Sequence, residues 1–291
     1  MKEETAGKPH FQDVYFRALA LEDDGTPVAT VVSHFWGGYS GAETSAYRWN
    51  GTAWELTPPH NVMRPAIRGW DVNIEVAAVT TIGSAAFNGV YGHQCIPDTA
   101  FLNDPNYELN EVERRMGGRV VALGPGTATA MRGKIIVGFT AGLNPFGPSC
   151  ERPRASTAIE WSENNVAHRI GRGVAYDVNA KGDIVGDNER LFGEPAQPML
   201  WHDGRAIVLD HRHGSAYAIA DDGTIVGQIG HEAFLADAGR PDAAIRRLDD
   251  RLVDRSWHVS AAYGIATRGQ ILAIARKGSG AQQTVLLEPE R

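Results

Sequence analysis

Apolar residues in this chain come in short runs rich in Val, Ile, Ala and aromatics, each cut off by Gly, Asp or Asn. No long stretch keeps the three-to-four-residue spacing of an amphipathic helix. This punctuated pattern predicts short β-strands joined by tight turns. Two stretches are near copies: VAYDVNAKGDIVG at 174–186 and SAYAIADDGTIVG at 215–227. Each reads as a hairpin, with Gly at the turn position where a positive φ is needed. Further copies are AAYGIATRGQILAIA (261–275), RALALEDDGTPVATV (17–31), TATAMRGKIIVGF (127–139, after a one-residue slip) and, most weakly, VAAVTTIGSAAFNGVYG (76–92).

The turn glycines Gly25, Gly83, Gly133, Gly182, Gly223 and Gly269 are spaced by 58, 50, 49, 41 and 46 residues. Each hairpin is followed by a third strand (SAYRWNG, TAFLND, TAIEWSE, QPMLWHDG, EAFLAD, QTVLLEP). In all but the last repeat a fourth comes next (WELTP, RVVALGP, VAHRIG, RAIVLD, IRRLDD). Four strands per repeat of that length is the unit of a propeller blade. The fold predicted is therefore all-β: a single six-bladed β-propeller at 11–291 behind a flexible N-terminus at 1–10. The blades fall near 17–57, 72–124, 127–171, 173–210, 214–250 and 260–289. The last repeat ends after its third strand, so FQDVYF at 11–16 is expected to supply the fourth and close the ring, which removes an exposed sheet edge.

The stretches HEAFLAD (231–237) and QPMLWHDG (197–204), following the A-Y…G-x-I-V-G hairpins, resemble the HAF-type repeats of bacterial, largely exported proteins. The likeness covers 171–289 well, and 17–50 and 127–162 loosely. It implies a propeller and export, and it brings no catalytic residues.

Composition narrows the partners. A net charge of −7 and a pI near 5.8 argue against nucleic acid. No run of about 18 apolar residues is present to span a bilayer as a helix. The first residues, MKEETAGKPHFQ, hold no apolar signal-peptide core. Two compartments stay open: secreted or periplasmic with a signal removed, or cytoplasmic. The chain has no G-x-S-x-G, H-E-x-x-H, C-x-x-C or phosphate-cradling loop, and no cofactor is predicted. A monomer is expected.

In a meander, alternate loops emerge on the same face. The first-to-second-strand turns are short and uniform, so little chemistry is expected on their face. The second-to-third-strand loops, such as 33–45, and the links between repeats vary in length and make the other face. His34, His60, His93, His211, His213, His231 and His258 all map to that looped face. Of these, His34, His93, His213, His231 and His258 are candidate acid/base residues, because imidazole titrates near neutral pH. HRH, with His211 and His213, is a weak candidate metal pair. Trp36, Tyr39, Trp70, Phe146 and Trp257 are candidate stacking residues for a sugar or planar ligand. Arg152, Arg154, Arg190 and Glu232 are candidate polar anchors. Trp49, Trp54, Trp161 and Trp201 occupy strand positions and read as packing. Cys95 and Cys150 fall in looped-face loops of neighbouring repeats, which makes a disulfide plausible. Two functions fit: a recognition module for a small molecule, glycan or protein at the looped face, or a cofactor-independent lyase, hydrolase or cyclase there.

Overall fold

The structure, a computed structural model, describes residues 10–21, 25–36, 41–56, 71–79, 85–92, 110–116, 119–125, 127–142, 154–188 and 196–290. These residues form 23 strands and a single 3-10 turn at Leu248–Arg251. Among them no helix is long and apolar enough to cross a membrane.

The first sheet holds β1 (His10–Leu21), β2 (Pro27–Trp36), β3 (Gly41–Trp49), β4 (Trp54–Leu56), β5 (Asp71–Val79), β6 (Ala85–Gly92), β7 (Asn110–Met116) and β8 (Arg119–Pro125). It consists of two antiparallel groups, β1–β4 and β5–β8, joined by one parallel bridge between Ala42 and Asn73. Three four-stranded antiparallel sheets follow. They are β9 (Thr127–Arg132) to β12 (Ala167–Arg172) through β10 (Ile135–Gly142) and β11 (Arg154–Trp161); β13 (Val174–Val178), β14 (Ile184–Asp187), β15 (Pro198–His202) and β16 (Arg205–Val208); and β17 (Gly214–Ile219), β18 (Thr224–Ile229), β19 (Glu232–Asp237) and β20 (Arg246–Arg247). The last sheet has β21 (Trp257–Ile265), β22 (Ile271–Lys277) and β23 (Gln283–Leu287).

The repeated sequence makes a repeated turn. Asn179 N–H donates to the Asp183 carbonyl at 3.0 Å and Gly182 N–H to the Asn179 carbonyl at 3.1 Å. The same pair of bonds recurs at Ala220/Thr224 with Gly223, and at Ala266/Gln270 with Gly269. Gly182 (φ 83°) and Gly223 (φ 98°) sit in the left-handed region that L side chains avoid.

The core lies between sheets. Val185 and Leu200 of β14 and β15 pack with Ala216, Ile219, Ile225 and Phe234 of the next sheet. Val137 and Ala158 pack likewise against Ala175, Ile184, Met199 and Trp201. Ala218 and Val226 meet Val259, Ala262 and Ile271. Inner strands are thus covered on both faces: β14 is buried along its whole length, while β12 and β16, at the outer edges, are largely exposed. This explains continuous apolar runs such as IVG where one-sided burial would give alternation. Each sheet needs its neighbour, because burying a side chain such as Leu200 contributes about 1.5–3 kcal/mol. Trp161 and Trp201 are buried packing residues, and Trp49 and Trp54 meet edge to face at 5.4 Å.

First strands adjoin one another in the order β5, β9, β13, β17, β21, β1. The contact of β1 with β21 and β22 makes the first and last sheets neighbours. The expected role of 11–16 differs. These residues are the first half of β1, paired with β2 from His10↔Trp36 to Leu21↔Pro27, and β23 pairs with β22 alone among the described residues. The long β2 offers backbone partners along its whole length, so the N-terminal segment extends its own hairpin.

Candidate functional site

Each first strand carries a β-bulge at a corresponding place. The register skips Ala77 in β5, Thr129 in β9, Tyr176 in β13, Tyr217 in β17 and Tyr263 in β21, and it also shifts between Phe16 and Leu19 in β1. A bulge adds one unpaired residue and re-aims its side chain. The pair just before it is small in four sheets: Ala128↔Gly138, Ala175↔Gly186, Ala216↔Gly227 and Ala262↔Ala273. A Cβ on Gly186 would lie 1.9 Å from the Val174 carbonyl oxygen, so the Gly of I-V-G permits this close approach.

The bulged residues converge. A cavity of about 460 Å³ is lined by Leu21, Thr129, Tyr176, Asp177, Tyr217 and Tyr263, contributed by five first strands, β1, β9, β13, β17 and β21, together with parts of β22 and β23. Tyr263 is 39% exposed although its neighbour Ala262 is 0% exposed, which marks the bulge as the point where the strand opens onto the cavity. The rings form a ladder. Tyr217 stacks on Tyr263 at 4.8 Å and 29°, and Tyr176 tilts against Tyr217 at 5.5 Å.

Several polar atoms around the ladder are engaged. The Tyr176 hydroxyl donates to Asp187 Oδ2 at 3.0 Å, and the Ser215 hydroxyl donates to the same oxygen at 2.8 Å. Burial and the adjacent Tyr263 push the Tyr217 hydroxyl above its ordinary pKa, against the effect of its hydrogen bond with Ser215. The Thr129 hydroxyl lies 2.6 Å from the Ala175 carbonyl and 3.1 Å from that of Val137. Asp177 accepts from the backbone N–H of Val178 at 2.8 Å and of Ile219, in the next sheet, at 2.9 Å. Burial raises its carboxyl to about 6, outweighing those two N–H groups and Arg132; Asp221 adds to the rise. Arg132 forms an ion pair with Asp221, so the β9 sheet is linked to the β17–β18 turn beside the cavity.

The hairpin turns and the longer loops occupy opposite ends. At the turn end, Ala180 N–H donates to Asp221 Oδ1 at 2.8 Å. At the other end, Gln197 Nε2 donates to the His211 carbonyl at 2.8 Å, Gly230 N–H to that of His213, and Gly278 N–H to that of Ser256.

The sequence-derived candidates scatter. His211, His213 and His231 are exposed. Among the described residues no group of His, Cys, Asp and Glu is arranged to hold a metal ion. His258 is half-buried, with Nδ1 2.8 Å from Asp249 Oδ2, and Arg247 bridges Asp249 (3.3 Å) and Glu232 (3.1 Å). Burial pushes the Asp249 carboxyl up, but the Val259 N–H and His258 outweigh it and hold the carboxyl below its usual range. Trp257 and His258 begin β21, and the Lys277 ammonium lies 5.8 Å from the centre of the Trp257 ring. The expected loop 33–45 is mostly strand: β2 runs to Trp36 and β3 starts at Gly41, so His34 and Trp36 fall within β2. Arg154 opens β11. Tyr39, Trp70, His93, Phe146, Arg152, Arg190, Cys95 and Cys150 lie outside the described residues.

The cavity residues fall in the inner hairpins, the part expected to carry least chemistry. One signal pointed to them: a tyrosine follows an alanine at 176, 217 and 263, and that alanine pairs with a Gly or Ala across the hairpin.

Compared with known proteins, the chain matches no protein-family model, and no curated protein matches it in sequence. Among solved structures it is similar to a protein of unknown function from Dyadobacter fermentans, at 12% identity and a TM-score of 0.50, over 95% of this chain and 97% of that one. That likeness concerns the fold alone. A mutant of AofleA from Arthrobotrys oligospora is 11% identical over 95% of this chain and 90% of that one, with a TM-score of 0.37.

Proposed function

We propose that the chain is a six-bladed β-propeller built from HAF-type repeats, and that it is a recognition module holding a small organic ligand in the tyrosine-lined cavity at the centre of the ring. The ring is supported by the order of adjoining first strands and by β1 lying against the last sheet. The ligand site rests on one observation: bulged residues of neighbouring sheets converge on a single cavity of about 460 Å³. That volume suits a small ligand, and a mainly apolar wall with few polar groups is the usual form of such a site. Thermal-shift screening of a small-molecule library against the wild type, Tyr217→Ala and Tyr263→Ala tests it. Ligands that stabilise the wild type and lose their effect in both variants support the cavity. Ligands whose effect survives both changes place binding elsewhere.

A second reading has its own observation. The His258–Asp249 pair beside Arg247 and Glu232 is a base held by a carboxylate, the arrangement an acid/base lyase, hydrolase or cyclase needs. Turnover in a hydrolase and lyase substrate panel that is lost in His258→Ala would favour it.

A further inference from the structure

We propose that the cavity selects an organic cation, an alkylated or quaternary ammonium group, held over the tyrosine rings with the Asp177 carboxylate as counter-charge. The inference rests on the cavity being the ligand site and adds the ligand's chemistry. Three observations carry it. First, Tyr176, Tyr217 and Tyr263 form an uninterrupted aromatic wall, and aromatic faces attract desolvated cations through their quadrupole. Second, among the described residues lining the cavity Asp177 alone carries an ionisable acid or base other than the tyrosine hydroxyls. Nearby Arg132 is paired with Asp221. An anion would therefore meet a carboxylate without a matching guanidinium.

Third, two of the hydroxyls that a sugar could use are already engaged. The Tyr176 hydroxyl is bonded to Asp187 and the Thr129 hydroxyl to a backbone carbonyl. A quaternary ammonium asks for none of them, because it has no N–H to satisfy. Asp177 uses two of its roughly four acceptor positions on backbone N–H groups and keeps the rest. The net charge of −7 adds a favourable long-range field for a cation.

The matched probes are choline and its uncharged isostere 3,3-dimethyl-1-butanol, titrated calorimetrically into the full chain, beside a panel of neutral monosaccharides. Choline is expected to bind at least about tenfold more tightly than the alcohol, with Asp177→Asn narrowing the difference to the part that the tyrosine rings supply. Tyr263→Ala, at a partly exposed position, is expected to weaken choline roughly three- to thirtyfold while circular dichroism stays unchanged. It serves as the readout if Asp177→Asn does not fold. The carboxyl titrates near 6, facing Arg132, Asp221 and the Val178 and Ile219 amides. Choline binding should therefore weaken by up to about tenfold from pH 7.5 to pH 5. Equal binding of choline and the alcohol overturns the inference, and so does failure of choline to bind at millimolar concentration. A monosaccharide that binds in a Tyr217-dependent way, with choline inert, overturns the cation and leaves the cavity reading standing. Binding of any probe that ignores both Tyr217→Ala and Tyr263→Ala sinks the cavity reading itself.

Discussion

Replacing Asp177 by Asn removes a titrating group without changing the side chain's size. The carboxyl is raised from 3.8 to about 6, chiefly by burial. A raised acid pKa means that the folded chain holds a proton the unfolded chain has already released. Between about pH 4 and 6 the native state binds more protons, so stability falls as pH rises through that window and is level above it. At 1.36 kcal/mol per pH unit the full gap amounts to about 3 kcal/mol. Asp177 keeps some contact with solvent in the cavity, and a realised difference of about 1–2 kcal/mol is expected. Other carboxyls bring a pH dependence of their own, with Asp210 held low by Arg212 and Asp237 by Arg240. Subtracting the variant's profile from the wild type's cancels them. Urea unfolding followed by tryptophan fluorescence at pH 4, 5, 6, 7 and 8, for both proteins, gives that difference. The wild type should be favoured most at pH 4 and lose the advantage by pH 7. A flat difference would refute the buried carboxyl. A difference growing with pH would mean that the Val178 and Ile219 N–H groups and Arg132 outweigh burial.

Three other outcomes follow from packing. Gly186→Ala puts a Cβ 1.9 Å from the Val174 carbonyl oxygen, so β13 and β14 must separate; a loss above about 3 kcal/mol, or no soluble protein, is expected in denaturant melts, and a near-neutral effect would remove the bulge argument. Leu200→Ala empties a fully buried position between two sheets and should cost about 2–5 kcal/mol by urea unfolding. Tyr176→Phe and Ser215→Ala each remove a donor to buried Asp187, at about 1.5–3 kcal/mol apiece, and in a double-mutant cycle their effects should be non-additive because one oxygen accepts both bonds.

Much of the local structure was legible in the chain. The turn at 179–183 follows from Asn179 and Gly182, and the same bonds recur wherever the pattern does. Trp161 and Trp201 read as packing from their strand positions and are buried. Extents were harder. The stretch 33–45 looked like a loop because it is rich in Gly and Ser, yet Ser33–Trp36 and Gly41–Ser45 are strand, since β1 is long enough to pair with β2 to its end. His258 and Glu232 were singled out separately; Arg247 and Asp249, which connect them, were not, because their contact depends on the 3-10 turn at Leu248–Arg251.

The sequence by itself determined the hairpins, because turn chemistry and the β period are local: a Gly with positive φ and a short apolar run need no distant partner to declare themselves. The tertiary structure alone decided which residue of each hairpin faces the cavity. A bulge is a property of two strands' register, and one extra residue changes the face that every later side chain occupies. The Tyr176–Tyr217–Tyr263 ladder requires three sheets to stand side by side, and the raised carboxyl of Asp177 requires β17 to cover it. Burial and stacking between sheets are distances in space, and residues 41 or 46 positions apart in the chain carry no mark of them until the sheets pack.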